Sequence, residues 1–123
     1  MLLLGPIGIF GAIDAGGATA QAAELRRFVI TIKNRTVDPA QKLVTVTRGD
    51  TIELEFTTDE VAELHLHGYD KQIKVEPSAL AVLRFDATIA GRFSIEAHGF
   101  GSGKSGQRGR SHVVLLYLEV YPR

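Results

Sequence analysis

Four histidines are the residues of this sequence whose type and spacing best suit chemistry. His65 and His67 stand one residue apart, His98 ends a run that alternates apolar and polar residues, and His112 precedes the last apolar run. In a strand, His65 and His67 share one face because side chains alternate. Their neutral imidazoles can chelate a metal ion if the backbone bends slightly at Gly68. The alternative is four ordinary strand histidines without a ligand.

The lack of sulfur narrows the possible chemistry. The 123 residues include no cysteine, and the single methionine is Met1. Disulfides, CxxC redox motifs, thiolate zinc sites, iron–sulfur clusters and cysteine nucleophiles are therefore excluded. Imidazoles without thiolate suit Cu(II), Zn(II) or Ni(II).

Two acidic residues stand close to the histidines in the strand pattern. Glu63 is on the same strand face as His65 and His67, and Glu96 is two residues before His98. Each carboxylate can serve as a metal ligand or orient an imidazole. The alternative is that both are solvated charges on a strand face. No nucleophile-elbow motif is present, and the sequence nominates no catalytic residue.

The charge balance disfavours polyanionic partners. Fourteen basic and 14 acidic residues give a formal net charge of zero. No overall field therefore draws the protein to DNA or to an anionic membrane. We predict a metal ion as partner and no nucleic acid.

Residues 1–22 have the pattern of an export signal. The apolar run Leu2–Ile13 is shorter than the roughly 20 residues that span a bilayer, and small residues follow it. This pattern predicts cleavage after Ala22, or alternatively after Ala20, a periplasmic or secreted location, and no stable membrane insertion afterwards. Because no basic residue precedes Arg26, an uncleaved apolar N-terminal segment is the alternative.

Residues 24–123 are predicted to form one all-β domain. Short alternating runs are separated by turn signals, and almost no helical periodicity is present. Thr51–Phe56 is the clearest such run, and the triplet Arg48-Gly49-Asp50 before it is explained by a turn between strands. Seven or eight strands predict an antiparallel Greek-key β-sandwich. The glycine-rich stretch Gly99–Arg110 is predicted to be a mobile loop.

Three segments resemble the cupredoxin family, which includes plastocyanin and azurin. Val46–Phe56 resembles the family's V-x-x-G-D-x-V pair of strands, and His65–Asp70 falls where the family places its first histidine ligand. Ala90–His98 is similar to the strand that delivers the copper thiolate. The resemblance implies a cupredoxin-like fold in which the segment around His67 and the loop after Ala97 meet at one end of the sandwich. The candidate ligands that this would bring together are His65, His67, His98 and His112.

The sequence departs from the family at the cysteine that binds blue copper. Ala97 occupies that position, and no methionine is available as axial ligand. Blue-copper electron transfer is thereby excluded on ligand grounds. What remains resembles a cysteine-less branch that binds copper, as Cu(II) or with zinc as the alternative, for metal binding, delivery or sequestration. A metal-free binding or accessory module and a small copper oxidoreductase are the other hypotheses.

Overall fold

A computed structural model describes residues 23–101 and 112–123. The predicted signal segment, residues 1–22, and most of the predicted glycine-rich loop lie outside this described part. Within it, no helix is long and apolar enough to cross a membrane.

The described residues form nine strands and one 3-10 turn at Pro39–Gln41. In chain order the strands are β1 (Leu25–Lys33), β2 (Thr36–Val37), β3 (Leu43–Thr47), β4 (Thr51–Thr58), β5 (Ala62–Leu66), β6 (Lys71–Val75), β7 (Ala81–Asp86), β8 (Gly91–His98) and β9 (Val113–Tyr121).

The strands form two sheets, and the predicted β-sandwich is confirmed. One sheet has the order β2-β1-β4-β7 and the other the order β3-β9-β8-β5-β6. The sheets are mixed rather than purely antiparallel, because β1 runs parallel to β4 and β3 runs parallel to β9. In both parallel pairs the connecting chain passes through the other sheet, since a tight hairpin joins only antiparallel strands. The described strands also number nine rather than seven or eight.

The core lies between the sheets and follows the alternation of the strands. The outward residue Glu53 is covered by Arg27 and Arg84, whose guanidinium groups each donate a hydrogen bond to it at 2.9 Å. The hydrogen bond from Arg27 lowers the pKa of the Glu53 carboxyl. Core side chains that are almost fully buried include Ile30, Ile52, Leu54, Phe56, Leu64, Leu66, Ile95, Leu116 and Leu118.

Asp50 ties three distant parts of the chain together. Its buried carboxylate accepts hydrogen bonds from the backbone N–H groups of Glu24 and Thr47 and from the guanidinium of Arg123, each at 3.2 Å. The start of β1, the turn between β3 and β4, and the C-terminal residue are therefore joined at one group. Since the Asp50 side chain is only 4% exposed, the triplet Arg48-Gly49-Asp50 does not present this carboxylate to a partner.

Asp50→Ala should lower the free energy of unfolding by about 3 kcal/mol, because it removes a buried carboxylate that accepts hydrogen bonds from a guanidinium and two backbone N–H groups. Urea unfolding of both proteins measures the loss. The matched control is Asp86→Ala, which removes an exposed carboxylate bonded to the hydroxyl of Thr51 and should cost less than about 1 kcal/mol. Equal losses in the two variants would show that Asp50 is not the link inferred here.

Candidate metal centre

The site begins with the pairing of β8 in the middle of the five-stranded sheet. Ala97 of β8 lies opposite Leu64 of β5 and Val113 of β9. Ala97 is fully buried and faces the core. Because neighbouring residues of a strand point to opposite faces, Glu96 and His98 project from the outer face of the sheet.

A β-bulge in β9 brings His112 to the same outer face. Ile95 of β8 pairs with Leu116, whereas the next residue, Glu96, pairs with Val114. Leu115 is therefore the extra residue of the bulge. Without it, strict alternation would turn His112 toward the core. With it, His112 lies beside His98, and their ring centroids are 4.3 Å apart.

The other two histidines complete a continuous group on this face. His65 and His67 share the outer face of β5 and the turn after it, with ring centroids 4.1 Å apart. The ring of His65 lies 6.3 Å from that of His98 on the adjacent strand. These four residues, His65, His67, His98 and His112, are called the histidine cluster below.

The possible ligand atoms form two overlapping groups among the described residues. One group is His65, His67 and His98, and the other is Glu96, His98 and His112. Within each group, one ligand atom from every residue lies within 4.8 Å of the others. The two groups share His98, so five donor side chains surround one small area of the sheet.

Glu96 is the anionic centre of this area. Its Oε2 atom lies 2.9 Å from Nε2 of His67, 3.8 Å from Nδ1 of His112 and 4.0 Å from Nε2 of His98. The first distance is a hydrogen bond that fixes the imidazole of His67. Carboxylates that orient metal-binding imidazoles are common neighbours of metal sites.

One nitrogen of the cluster is buried without a hydrogen-bond partner. Nε2 of His65 makes no hydrogen bond within the described part of the chain. The carboxylate of Asp70 lies 3.5 Å away, but it is almost fully exposed to solvent and does not hydrogen-bond to this nitrogen. A buried polar atom left unpaired is costly. A metal ion would satisfy it, since Cu(II) and Zn(II) accept imidazole nitrogen as a ligand. The donor set therefore fits a metal ion.

The protonation of His98 also favours metal binding. Burial lowers the pKa of His98, and the neighbouring charge of His112 lowers it further, although the charge of Glu96 acts in the opposite direction. A metal ion competes with protons for imidazole nitrogen. The neutral ring that a metal ion requires is therefore the favoured form of His98 at neutral pH.

The structure brings all four predicted ligand residues together on the outer face of the five-stranded sheet. Of the two acidic candidates, Glu96 lies among the imidazoles. Glu63 lies opposite His98 in the strand register and belongs to neither ligand group. The sequence carried no signal for the bulge at Leu115, because both neighbouring residues are also apolar.

Gly68 positions the end of β5 where His67 lies. Its φ of +86° belongs to the left-handed region that favours glycine, and a Cβ atom there would overlap the ring of Phe93. The next residue, Tyr69, packs against the rings of Phe85 and Phe93. The Tyr69 hydroxyl donates a hydrogen bond of 2.7 Å to the carbonyl of Ile89. The turn after β5 is thus held from the core side.

Comparison with solved structures shows a cupredoxin-like β-sandwich. An apo copper binding protein solved by NMR has a TM-score of 0.55 at 8% identity, covering 80% of this chain and 96% of that one. A multicopper oxidase has a TM-score of 0.54 at 16% identity, covering 80% of this chain and 42% of that one. A chain of a heme-copper terminal oxidase dimer has a TM-score of 0.56 at 14% identity, covering 77% and 64%.

This chain thus spans less than two thirds of the length of either oxidase chain. The sequence matches no protein-family model and no curated protein. At these identities the similarity is one of fold.

Gly68→Ala should lower the free energy of unfolding more than Gly99→Ala does. Both glycines have positive φ, but nothing lies within 4 Å of a Cβ at Gly99, whereas Phe93 blocks the one at Gly68. The difference should be about 1–3 kcal/mol, which is the usual cost of overpacking. Urea unfolding of the two variants measures it. A smaller loss for Gly68→Ala than for Gly99→Ala would contradict the contact with Phe93.

The metal-free protein should lose stability as the pH falls below about 6.5, the ordinary pKa of histidine. Because the pKa of His98 is lowered in the folded protein, the unfolded chain takes up a proton at a higher pH than the folded protein does. The stabilising contribution of neutral His98 is therefore complete above about pH 6.5 and is lost as the pH falls below it. In His98→Gln the decrease should be shallower. Urea unfolding at about pH 7 and about pH 5 measures the difference. An unchanged slope would argue against the lowered pKa.

Proposed function

We propose that this chain is an exported, cupredoxin-like protein that binds copper, or another divalent metal ion, through the histidine cluster. Its role is metal binding, delivery or sequestration rather than blue-copper electron transfer. The observation that carries the proposal is the convergence of four imidazoles and Glu96 in two overlapping groups of ligand atoms. The buried Nε2 of His65, which has no hydrogen-bond partner in the described chain, supports it.

Copper is the ion that the donor set favours. Affinity of nitrogen and oxygen ligands for divalent first-row metals is highest for Cu(II), and zinc is the next candidate. Residues 24–123 contain no cysteine and no methionine, so no sulfur ligand favours Cu(I) over Cu(II). Three solved structures of similar fold are those of a copper binding protein, a multicopper oxidase and a heme-copper terminal oxidase, which supports the same choice.

The position that the resemblance assigns to the blue-copper cysteine is separated from the cluster by the sheet itself. Ala97 faces the core, whereas His98 and Glu96 face outward. A bound ion would therefore be held by imidazoles and a carboxylate, with no thiolate near it. The expected Cu(II) centre is of the non-blue type.

The accessibility of the cluster suits exchange of the ion. The side chains of His67 and His112 are 43% and 61% exposed. A chelate or another protein can therefore reach an ion held here. For export, the support is the apolar and small-residue pattern of residues 1–22, which favours a periplasmic or secreted location.

The domain should take up about one Cu(II) per chain, with an imidazole-type EPR spectrum and no intense thiolate-to-copper absorption. Binding should also stabilise the fold by about 2.7 kcal/mol when free Cu(II) is 100 times its Kd. Copper titration followed by EPR, and urea unfolding with and without Cu(II), measure the two effects.

The control for this titration is the variant with all four histidines of the cluster changed to alanine, which should bind no Cu(II) specifically. Glu63→Gln is the matched control for a neighbouring carboxylate outside both ligand groups, and it should bind like the unchanged protein. Equal binding by the quadruple variant would refute the proposed site. Unchanged stability on copper addition or chelation would favour the metal-free accessory module instead.

A further inference from the structure

We infer that the histidine cluster offers one metal ion two alternative positions that share His98, and that the ion passes from the more exposed position to the less exposed one. The outer position is formed by Glu96, His98 and His112, and the inner position by His65, His67 and His98. This inference rests on the proposed function and specifies how the ion is taken up.

The geometry separates the two positions. No group of ligand atoms within 4.8 Å of one another includes both His65 and His112. Bonds of about 2.0 Å to imidazole nitrogen require the ligands of one ion to lie closer together than that. His98 is the residue common to both groups, and it stands between its neighbours on β5 and β9. A single ion can therefore keep His98 as ligand while exchanging the others.

Exposure gives the exchange a direction. The side chain of His112 is 61% exposed, whereas those of the three inner ligands, His65, His67 and His98, are 21%, 43% and 31% exposed. An ion that arrives from solution meets His112 first. The negative charge of Glu96 at the outer position attracts the cation during this encounter.

The inner position gains more from the ion once it has arrived. It contains the buried Nε2 of His65, which has no hydrogen-bond partner in the described chain, and its three donors are all imidazoles. Glu96, hydrogen-bonded to His67 at 2.9 Å, supports this position from outside. Removal of a carboxylate that orients a ligating imidazole in this way lowers metal affinity by about 10-fold to 100-fold.

The equilibrium test compares three single variants by competition for Cu(II) with a chelator. His112→Ala should change the affinity little, because the inner position keeps its three imidazoles, and pulsed EPR should count three imidazoles. His65→Ala should bind through the outer position, with two imidazoles counted. His98→Ala should weaken binding more than either, because it removes a ligand from both positions. His98→Phe repeats this test with an aromatic ring that has no nitrogen to bind the ion.

The kinetic test follows Cu(II) uptake from its glycine complex by stopped flow. His112→Ala should slow uptake relative to the unchanged protein. His65→Ala should take up Cu(II) at the unchanged rate but release it faster to a chelator. Glu63→Gln, a carboxylate opposite His98 that lies in neither position, should alter neither rate. Circular dichroism and urea unfolding of each metal-free variant establish that it is folded.

The outcomes separate this inference from the function on which it rests. If the unchanged protein binds no Cu(II), the proposed function fails. If it binds Cu(II) but the three single variants lose affinity equally, one site uses all the histidines and only the two-position inference is wrong. If His112→Ala takes up Cu(II) at the unchanged rate, the inference that the ion enters through His112 is wrong.

Discussion

The pairing of β8 on both of its edges is the constraint on which the site depends. Hydrogen bonding to β5 and to β9 fixes the register, so the core-facing row of Leu64, Ala97 and the partly buried Val113 determines which residues face outward. A slip of one residue would send the imidazole of His98 into the core. Burial of the apolar row opposes such a slip, and the packing that stabilises the fold thereby also holds the donors in place.

The bulge in β9 is the local departure that completes the donor set. Leu115 and Leu116 are adjacent in sequence, yet both are buried, which regular alternation does not allow. The bulge adds apolar area to the core, and area removed from water is favourable. The same shift moves His112 to the outer face, beside His98 and Glu96. One irregularity therefore serves both the core and the site.

The fold and the blue-copper chemistry associated with it are separable in this chain. The sandwich is cupredoxin-like, but the position that the resemblance gives to the thiolate is a buried alanine. The donors lie on the outer face of the same sheet, and His67 and His112 are the most exposed of them. An ion held there would be open to exchange with solution. This accessibility agrees with a role in binding or delivery.

The sequence by itself determined the sandwich, the shared face of His65 and His67, and the absence of any sulfur ligand, because composition and alternation are local properties. Only the tertiary structure decided that β5, β8 and β9 are neighbours, that the bulge at Leu115 places His112 beside His98, and that the carboxylate among the imidazoles is Glu96. The parallel strand pairs within the sheets, and the hydrogen bonds by which buried Asp50 joins three parts of the chain, were also decided only by the tertiary structure. Strand order and register depend on contacts between residues far apart in the chain. The alternation of apolar and polar residues within one strand carries no information about those contacts.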